Sequence, residues 1–282
     1  MPVRTIGIIG AGTMGSGIAQ ISATAGLSVI LIDVSAAATD KGLETLIGNL
    51  ERLVAKGSIS AAEKDAAVGC ITRSQDYDLL QTADMVIEAV PEKFDLKARV
   101  LREIGSFIRP ETIIASNTSS ISITKLASVI TQPARFIGMH FFNPVPRMAL
   151  VEIVRGLQTS DATHDIAEAL AVKLGKTPIT VKSSPGFIVN RLLVPMLNEA
   201  FFLLADDDAN PTEIDEAMKL GCNYRIGPLA LADLVGLDVL LSVVETLHAD
   251  FGDPKYRPAP LLKEMVAAGY LGRKSGRGVY RY

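Results

Sequence analysis

Residues 4–33, RTIGIIGAGTMGSGIAQISATAGLSVILID, decide the architecture. Thr5–Ile9 is a short β-branched, apolar run of the kind a buried strand requires, and it breaks into Gly10-Ala11-Gly12-Thr13-Met14-Gly15. In this G-x-G-x-x-G pattern each glycine has its own steric task. Gly10 permits a tight turn, Gly12 lets the backbone approach a pyrophosphate, and Gly15 lets the following helix lie close to the strand. The N–H groups of Thr13 and Met14 then open a helix whose positive end faces the phosphates. A second apolar run, 27–32, ends in Asp33, whose carboxylate can accept from both hydroxyls of an adenosine ribose and would repel a 2′-phosphate. Strand, turn, helix, strand and terminal acid predict a βαβ unit that binds NAD. The glycines alone would fit any turn that packs a helix on a sheet.

Two further strands follow. ADMVIEAVPE (83–92) and ETIIASNTSS (111–120) are apolar runs that end in polar clusters, and a doubly wound sheet receives ligands at the carboxyl ends of its strands. Glu92, Asn117 and Ser119 are therefore expected near the cofactor, with helix capping as the other reading of Asn117 and Ser119. Residues 34–82 exceed what one crossover helix needs, so a helical insertion is expected. In GLETLIGNLERLVAKGSIS (42–60), Leu43, Leu46, Ile47, Leu50, Leu53 and Val54 share one helical face, while Asn49, Arg52 and Lys56 form a stripe on another. Such a stripe could hold a phosphorylated ligand or simply be solvated.

RFIGMH (135–140) reads as a buried strand, FNPVPR (142–147) as a connection fixed by prolines, and ALVEIV (149–154) as another strand. Paired strands would bring His140 and Glu152 together. A carboxylate on one imidazole nitrogen fixes the tautomer and leaves the other nitrogen to exchange a proton with substrate. The alternative is a satisfied core histidine, with Glu152 pairing an arginine. His164 and His248 read as surface residues.

From residue 183 the pattern changes to helices alone. SSPGFIVNRLLVPMLNEAFFLLADD (183–207) predicts a helix entered at Ser-Pro and kinked at Pro195, with Asn190 one turn in, where it could reach the cleft. PTEIDEAMKLG (211–221) predicts a short helix closed by Gly221, and GPLALADLVGLDVLLSVVETLHADFG (227–252) a single long apolar one. So much apolar helix surface predicts a homodimer. The tail GRKSGRGVYRY (272–282) is expected to be ordered by Tyr270, Val279 and Tyr280. The fold class is thus α/β: a Rossmann-type doubly wound sheet with a helical insertion (1–184), followed by an all-helical domain (185–282) for the substrate cleft and dimerisation.

With 28 Lys and Arg against 31 Asp and Glu, the net charge of −3 supplies no basic field for nucleic acid. Cys70 and Cys222 fit no disulfide or metal-ligand spacing and are read as buried thiols; no metal is expected. The start of the chain lacks a signal-peptide pattern, and LLVPMLNEAFFLLA (192–205) is interrupted by Pro195, Asn198 and Glu199. No membrane association and a cytoplasmic location are expected.

GAGTMGSGIAQ, ASNTSS, GMHFFNPVPRMALVEIV, SSPGFIVNRLL, IGPLALADLVGLD and GYLGRKSGRGVY occur in the order and spacing of the short-chain-length 3-hydroxyacyl-CoA dehydrogenases, a family the whole chain resembles. The resemblance implies NAD-linked, reversible oxidation of a short (S)-3-hydroxyacyl-CoA such as 3-hydroxybutyryl-CoA. It implies His140 as acid/base, Glu152 as its orienting carboxylate, and Ser119 and Asn190 on the substrate's 3-oxygen. Asp33 matches the ribose ligand; Glu92, Lys97, Asn143 and Lys274 match other positions around the dinucleotide. Asn49 and Lys56 match coenzyme A contacts, which draws Arg52 of the same stripe into that site; the family can have Ser where Asn49 stands. Two other readings stay open: a sugar-acid dehydrogenase of the L-gulonate type, and a non-catalytic, crystallin-like NAD-binding protein.

Overall fold

The computed structural model describes residues 2–207 and 209–282, and the chain divides into two compact units, one ending at Ser183 and the other spanning Ser184–Tyr282. In the first, β1 (Thr5–Ile9), α1 (Thr13–Thr24) and β2 (Ser28–Ile32) form the expected βαβ unit. The insertion is two helices, α2 (Ala36–Ala55) and α3 (Ala61–Gly69), followed by β3 (Ile71–Ser74). β4 (Met85–Glu88), α4 (Phe94–Ile104), β5 (Ile113–Ser116), α5 (Ile123–Ala127), β6 (Phe136–Phe141), β7 (Leu150–Arg155), α6 (Asp161–Lys173) and β8 (Thr177–Lys182) complete it.

The sheet runs β3-β2-β1-β4-β5-β6-β7-β8, all neighbours parallel except the antiparallel β6–β7 pair. Strand order reverses between β1 and β4, the switch point at which such sheets bind dinucleotides. β4 and β5 are buried throughout, as strands covered on both faces must be, whereas β8 is an edge strand blunted by Pro178 and Lys182.

Ser35 caps α2 by accepting from the Ala38 N–H, and Ser60 and Glu63 form a reciprocal capping box on α3. Of the apolar face read in α2, Leu46 and Leu50 are fully buried, each contributing ~2 kcal/mol, and the other four are half-buried. Gly42 lets α2 pass the glycine turn closely: a Cβ there would lie 2.7 Å from the Ala11 carbonyl oxygen.

The second unit contains α7 (Val189–Ala205), α8 (Pro211–Cys222), α9 (Pro228–Val235), α10 (Leu237–Phe251) and α11 (Pro260–Ala267) around Leu197, Phe201, Leu229, Leu240 and Leu262. Three expectations about where these helices start and stop need correction. Ser184-Pro185 opens a turn, because Gly186 and Phe187 take φ of +71° and +50°, so helix begins at Val189 and Asn190 lies in its first turn. α8 runs through Gly221 and closes one residue after Cys222, where Asn223 takes the left-handed conformation that asparagine tolerates. The apolar run 227–252 is two helices, because Gly236 at φ +103° breaks it.

The tail is ordered. Asp233, 1% exposed, accepts from the Val279 and Tyr280 N–H groups and the Tyr282 hydroxyl, and Asp215 accepts from the Tyr280 hydroxyl. Cys70 is half-buried, but Cys222, in the last turn of α8, is exposed; His164 is half-buried because it meets Thr180 of β8. Among the described residues no helix is long and apolar enough to cross a membrane.

Candidate active site

The glycine turn behaves as its sequence requires. Gly10 takes φ +101°, where a Cβ would lie 2.7 Å from the Ala89 carbonyl oxygen, and a Cβ on Gly15 would fall 1.7 Å from the Gly10 carbonyl oxygen. A Cβ on Gly12 would meet nothing within 4 Å, which leaves open space above the turn. Gly12 is the N-cap of α1 and supplies no side-chain cap, so the first-turn N–H groups, those of Thr13, Met14 and Gly15, make an anion-binding end. Asp33 follows β2 and already knits this region together: Oδ2 accepts from the Ala11 N–H at 2.7 Å and Oδ1 from the Val34 N–H at 2.7 Å. These features fit a dinucleotide.

Beyond the ends of β4 and β5, Glu92 organises the Thr118–Ser120 turn. Its Oε1 accepts from the Thr118 hydroxyl at 2.5 Å, the Ser119 N–H at 2.8 Å and the Ser120 N–H at 3.0 Å, while Oε2 lies 3.3 Å from Lys97 Nζ. Burial pushes the Glu92 carboxyl up, but the Lys97 charge and these donors outweigh it, and the group sits below its ordinary value. Lys97, 1% exposed, donates also to Glu88 at 2.7 Å and to the Val90 carbonyl at 3.0 Å. Glu88 is absent from the sequence-derived site; the signal for it was a lone acid inside MVIEAV with a lysine nine residues on. Asn117 Oδ1 accepts from the Phe141 N–H at 2.9 Å where β5 and β6 part.

His140 and Glu152 are direct cross-strand partners in the antiparallel β6–β7 ladder, so both side chains emerge on one face. Nδ1 lies 2.6 Å from Oε2, with His140 5% and Glu152 0% exposed. An ionised carboxylate only accepts, so Nδ1–H donates and Nε2 is the nitrogen that can exchange a proton. The Phe142 ring lies tilted at 4.4 Å from the imidazole centroid. Asn143 is exposed at the start of the proline-fixed connection. That connection is pinned from below by Lys176, whose Nζ donates to the Val145 and Met148 carbonyls and whose ammonium burial pushes below its ordinary value. Sequence reasoning did not single out Lys176.

On α2, Asn49 donates to Gln20 of α1 at 3.1 Å and accepts from Arg52 at 2.5 Å, so the stripe is internally bonded on the insertion; Arg52 and Lys56 are exposed. In the second unit, Lys274 pairs with Asp238 at 2.5 Å, and Asn190 occupies the first turn of α7.

Comparison with known proteins decides the family. Residues 5–184 match the model of the 3-hydroxyacyl-CoA dehydrogenase NAD-binding domain and residues 186–282 that of the 3-hydroxyacyl-CoA dehydrogenase C-terminal domain. The chain belongs to the 3-hydroxyacyl-CoA dehydrogenase family. It is 47% identical over 280 residues to a 3-hydroxybutyryl-CoA dehydrogenase of Bradyrhizobium diazoefficiens, an alignment covering 99% of this chain and 96% of that protein. It is 49% identical to a probable 3-hydroxybutyryl-CoA dehydrogenase of Bacillus subtilis, over 100% and 98% of the two chains. The crystal structure of (S)-3-hydroxybutyryl-CoA dehydrogenase from Ralstonia eutropha superposes with a TM-score of 0.97 at 60% identity, covering 99% of each chain. This family member is therefore an NAD-dependent oxidoreductase, and the glycine turn and Asp33 belong to its NAD-binding domain.

Proposed function

We propose that the enzyme interconverts (S)-3-hydroxybutyryl-CoA and acetoacetyl-CoA, with His140 as the proton-transfer group and Glu152 as its orienting carboxylate. The observation that carries this is the buried 2.6 Å contact between His140 Nδ1 and Glu152, in strands of the NAD-binding unit. Bound NAD would supply the acceptor for the hydride that leaves C3 of the hydroxyacyl group. His140 Nε2 takes the hydroxyl proton in oxidation and returns a proton to the C3 oxygen in reduction. Glu152 stabilises the imidazolium between these events. Ser119 and Asn190 hold the 3-oxygen, and Asp33, Glu92, Lys97, Asn143 and Lys274 serve the dinucleotide. Of these, Lys97 acts from beneath, since its ammonium is committed to three oxygens. Arg52 and Lys56 take the coenzyme A phosphates, with Asn49 holding Arg52 in place.

The second unit is proposed to complete the substrate cleft and to form a homodimer. Support comes from large apolar side chains left exposed on its helices, including Leu192, Leu220, Leu234 and Val239. Light scattering at the mass of two chains is the expected result. A cytoplasmic location accords with two free thiols, one of them exposed.

The functional test follows loss of NADH absorbance with acetoacetyl-CoA, with acetoacetate and with NADPH in place of NADH. Fast turnover only with the thioester and NADH is expected. Equal rates with acetoacetate would favour a sugar-acid type of substrate; bound NADH without turnover on any of them would favour a binding protein.

A further inference from the structure

We propose that Glu88 is a positioning residue for the active site, acting through Lys97 and Glu92 on the turn that carries Ser119. The inference rests on the catalytic reading above and goes one layer beneath it. Glu88 ends β4 and pairs in register with Ile9 of β1 and Ser116 of β5, which puts it at the centre of the sheet's ligand end. Its carboxylate is completely enclosed. Oε1 accepts from the Val90 N–H at 2.7 Å and from Lys97 Nζ at 2.7 Å, and Oε2 accepts from the Ser116 hydroxyl at 2.6 Å.

Lys97 thus stands between two carboxylates, one enclosed and one at the surface of the site. Glu92 in turn accepts from three consecutive residues, Thr118, Ser119 and Ser120. The result is a continuous path, Ser116–Glu88–Lys97–Glu92–Ser119, which ties the ends of β4 and β5 to α4. Burying an ion pair is a poor way to gain stability, because a packed apolar pair of like volume does as well or better. Its use here is directional. A fixed ammonium sets where the Glu92 carboxylate lies, and the five N–H and O–H donors of the turn follow that carboxylate. Without Glu88, Lys97 would move fully to Glu92 and take the turn with it.

The test compares wild type, Glu88→Gln and the double variant Glu88→Leu/Lys97→Met. Three quantities are measured: melting temperature, NADH dissociation constant by fluorescence, and kcat for acetoacetyl-CoA per NADH-binding site. Glu88→Gln keeps the shape and both short hydrogen bonds to Val90 and Ser116 within reach. It is expected to lower kcat about 10- to 100-fold and to raise the NADH dissociation constant several-fold, since a displacement of about 1 Å suffices for losses of this size. The double variant removes the enclosed Glu88–Lys97 pair together and leaves Glu92 to the five donors of the turn; it is expected to melt closer to wild type than Glu88→Gln and still to show depressed kcat. A purely structural Glu88 would change the melting temperature alone. Wild-type kcat and NADH affinity per site in Glu88→Gln, or wild-type kcat in the double variant, would overturn the proposal. If wild type itself fails to turn over the thioester, the catalytic reading fails, and the NADH constants of the same three proteins still judge Glu88.

Discussion

Glu88 and Glu152 are both fully enclosed carboxylates at work in one sheet, and their partners set them apart. Glu88, on parallel β4, meets the ammonium of Lys97; Glu152, on antiparallel β7, meets the imidazole of His140. An ammonium ordinarily keeps its charge near neutral pH, whereas an imidazole ordinarily changes charge there. The first pair therefore suits the strut proposed for it, and the second the proton transfer proposed for it. Burial and hydrogen-bond length alone, 2.7 Å against 2.6 Å, would not tell them apart. Strand direction contributes as well. The antiparallel ladder sets His140 directly opposite Glu152, while Lys97 must come over the sheet from the first turn of α4.

Breaking the imidazole pair should have the largest effect. His140→Gln removes the proton carrier and is expected to lower kcat about 10²- to 10⁴-fold while NADH titration stays near wild type. A loss of NADH affinity of similar size would make His140 a cofactor contact instead. Asp33→Ala comes next, because Asp33 both faces the expected ribose and holds the Ala11 N–H. The expected loss is about 10- to 100-fold in NADH affinity, from forfeited charge-assisted hydrogen bonds, with NADPH discriminated against less strongly. Unchanged cofactor preference in stopped-flow binding would remove Asp33 from that role.

Stability against pH reports on the carboxylate that Lys97 also holds. Glu92 sits below its ordinary value of 4.5, so the folded state favours its ionised form. The stability this contributes is present above that value and is lost as pH falls through the lower, folded one. Urea midpoints taken from about pH 6 to about pH 3 should fall more steeply for wild type than for Glu92→Gln. Parallel curves would mean that Lys97 and the serine turn do not hold the carboxylate. The smallest effect is expected at the exposed stripe on α2: Arg52→Ala should raise KM for acetoacetyl-CoA by about 2- to 5-fold and leave kcat alone, as the loss of one solvated charge does. An unchanged KM would make the stripe a solvated helix face.

Much of this was legible in the sequence because the relevant signals are local. The glycines follow a strand and precede a helix, and His140 and Glu152 stand in two apolar runs joined by a proline-fixed connection short enough to force pairing. The misread helix ends share a cause too: they concern backbone conformation decided by tertiary packing. Gly236 lies between two apolar segments that continue the same helical pattern, so its positive φ is invisible in composition. Pro185 carries a helix-start signal that Gly186 and Phe187 override by turning left-handed. Gly221 looked like the end of α8, but Asn223 performs that task. Glu88 was hidden for another reason. An acid at the end of a buried strand reads as a strand terminus until a lysine from the following helix is seen to close over it.

His140 and Glu152 are proposed to act as one unit, which a double-mutant cycle reads out. kcat with acetoacetyl-CoA and saturating NADH would be measured for His140→Gln, Glu152→Gln and the two combined. If Glu152 works only by orienting and stabilising the imidazole, the combined variant turns over at the rate of His140→Gln alone. Losses that multiply would contradict the account and give Glu152 a separate part in the reaction.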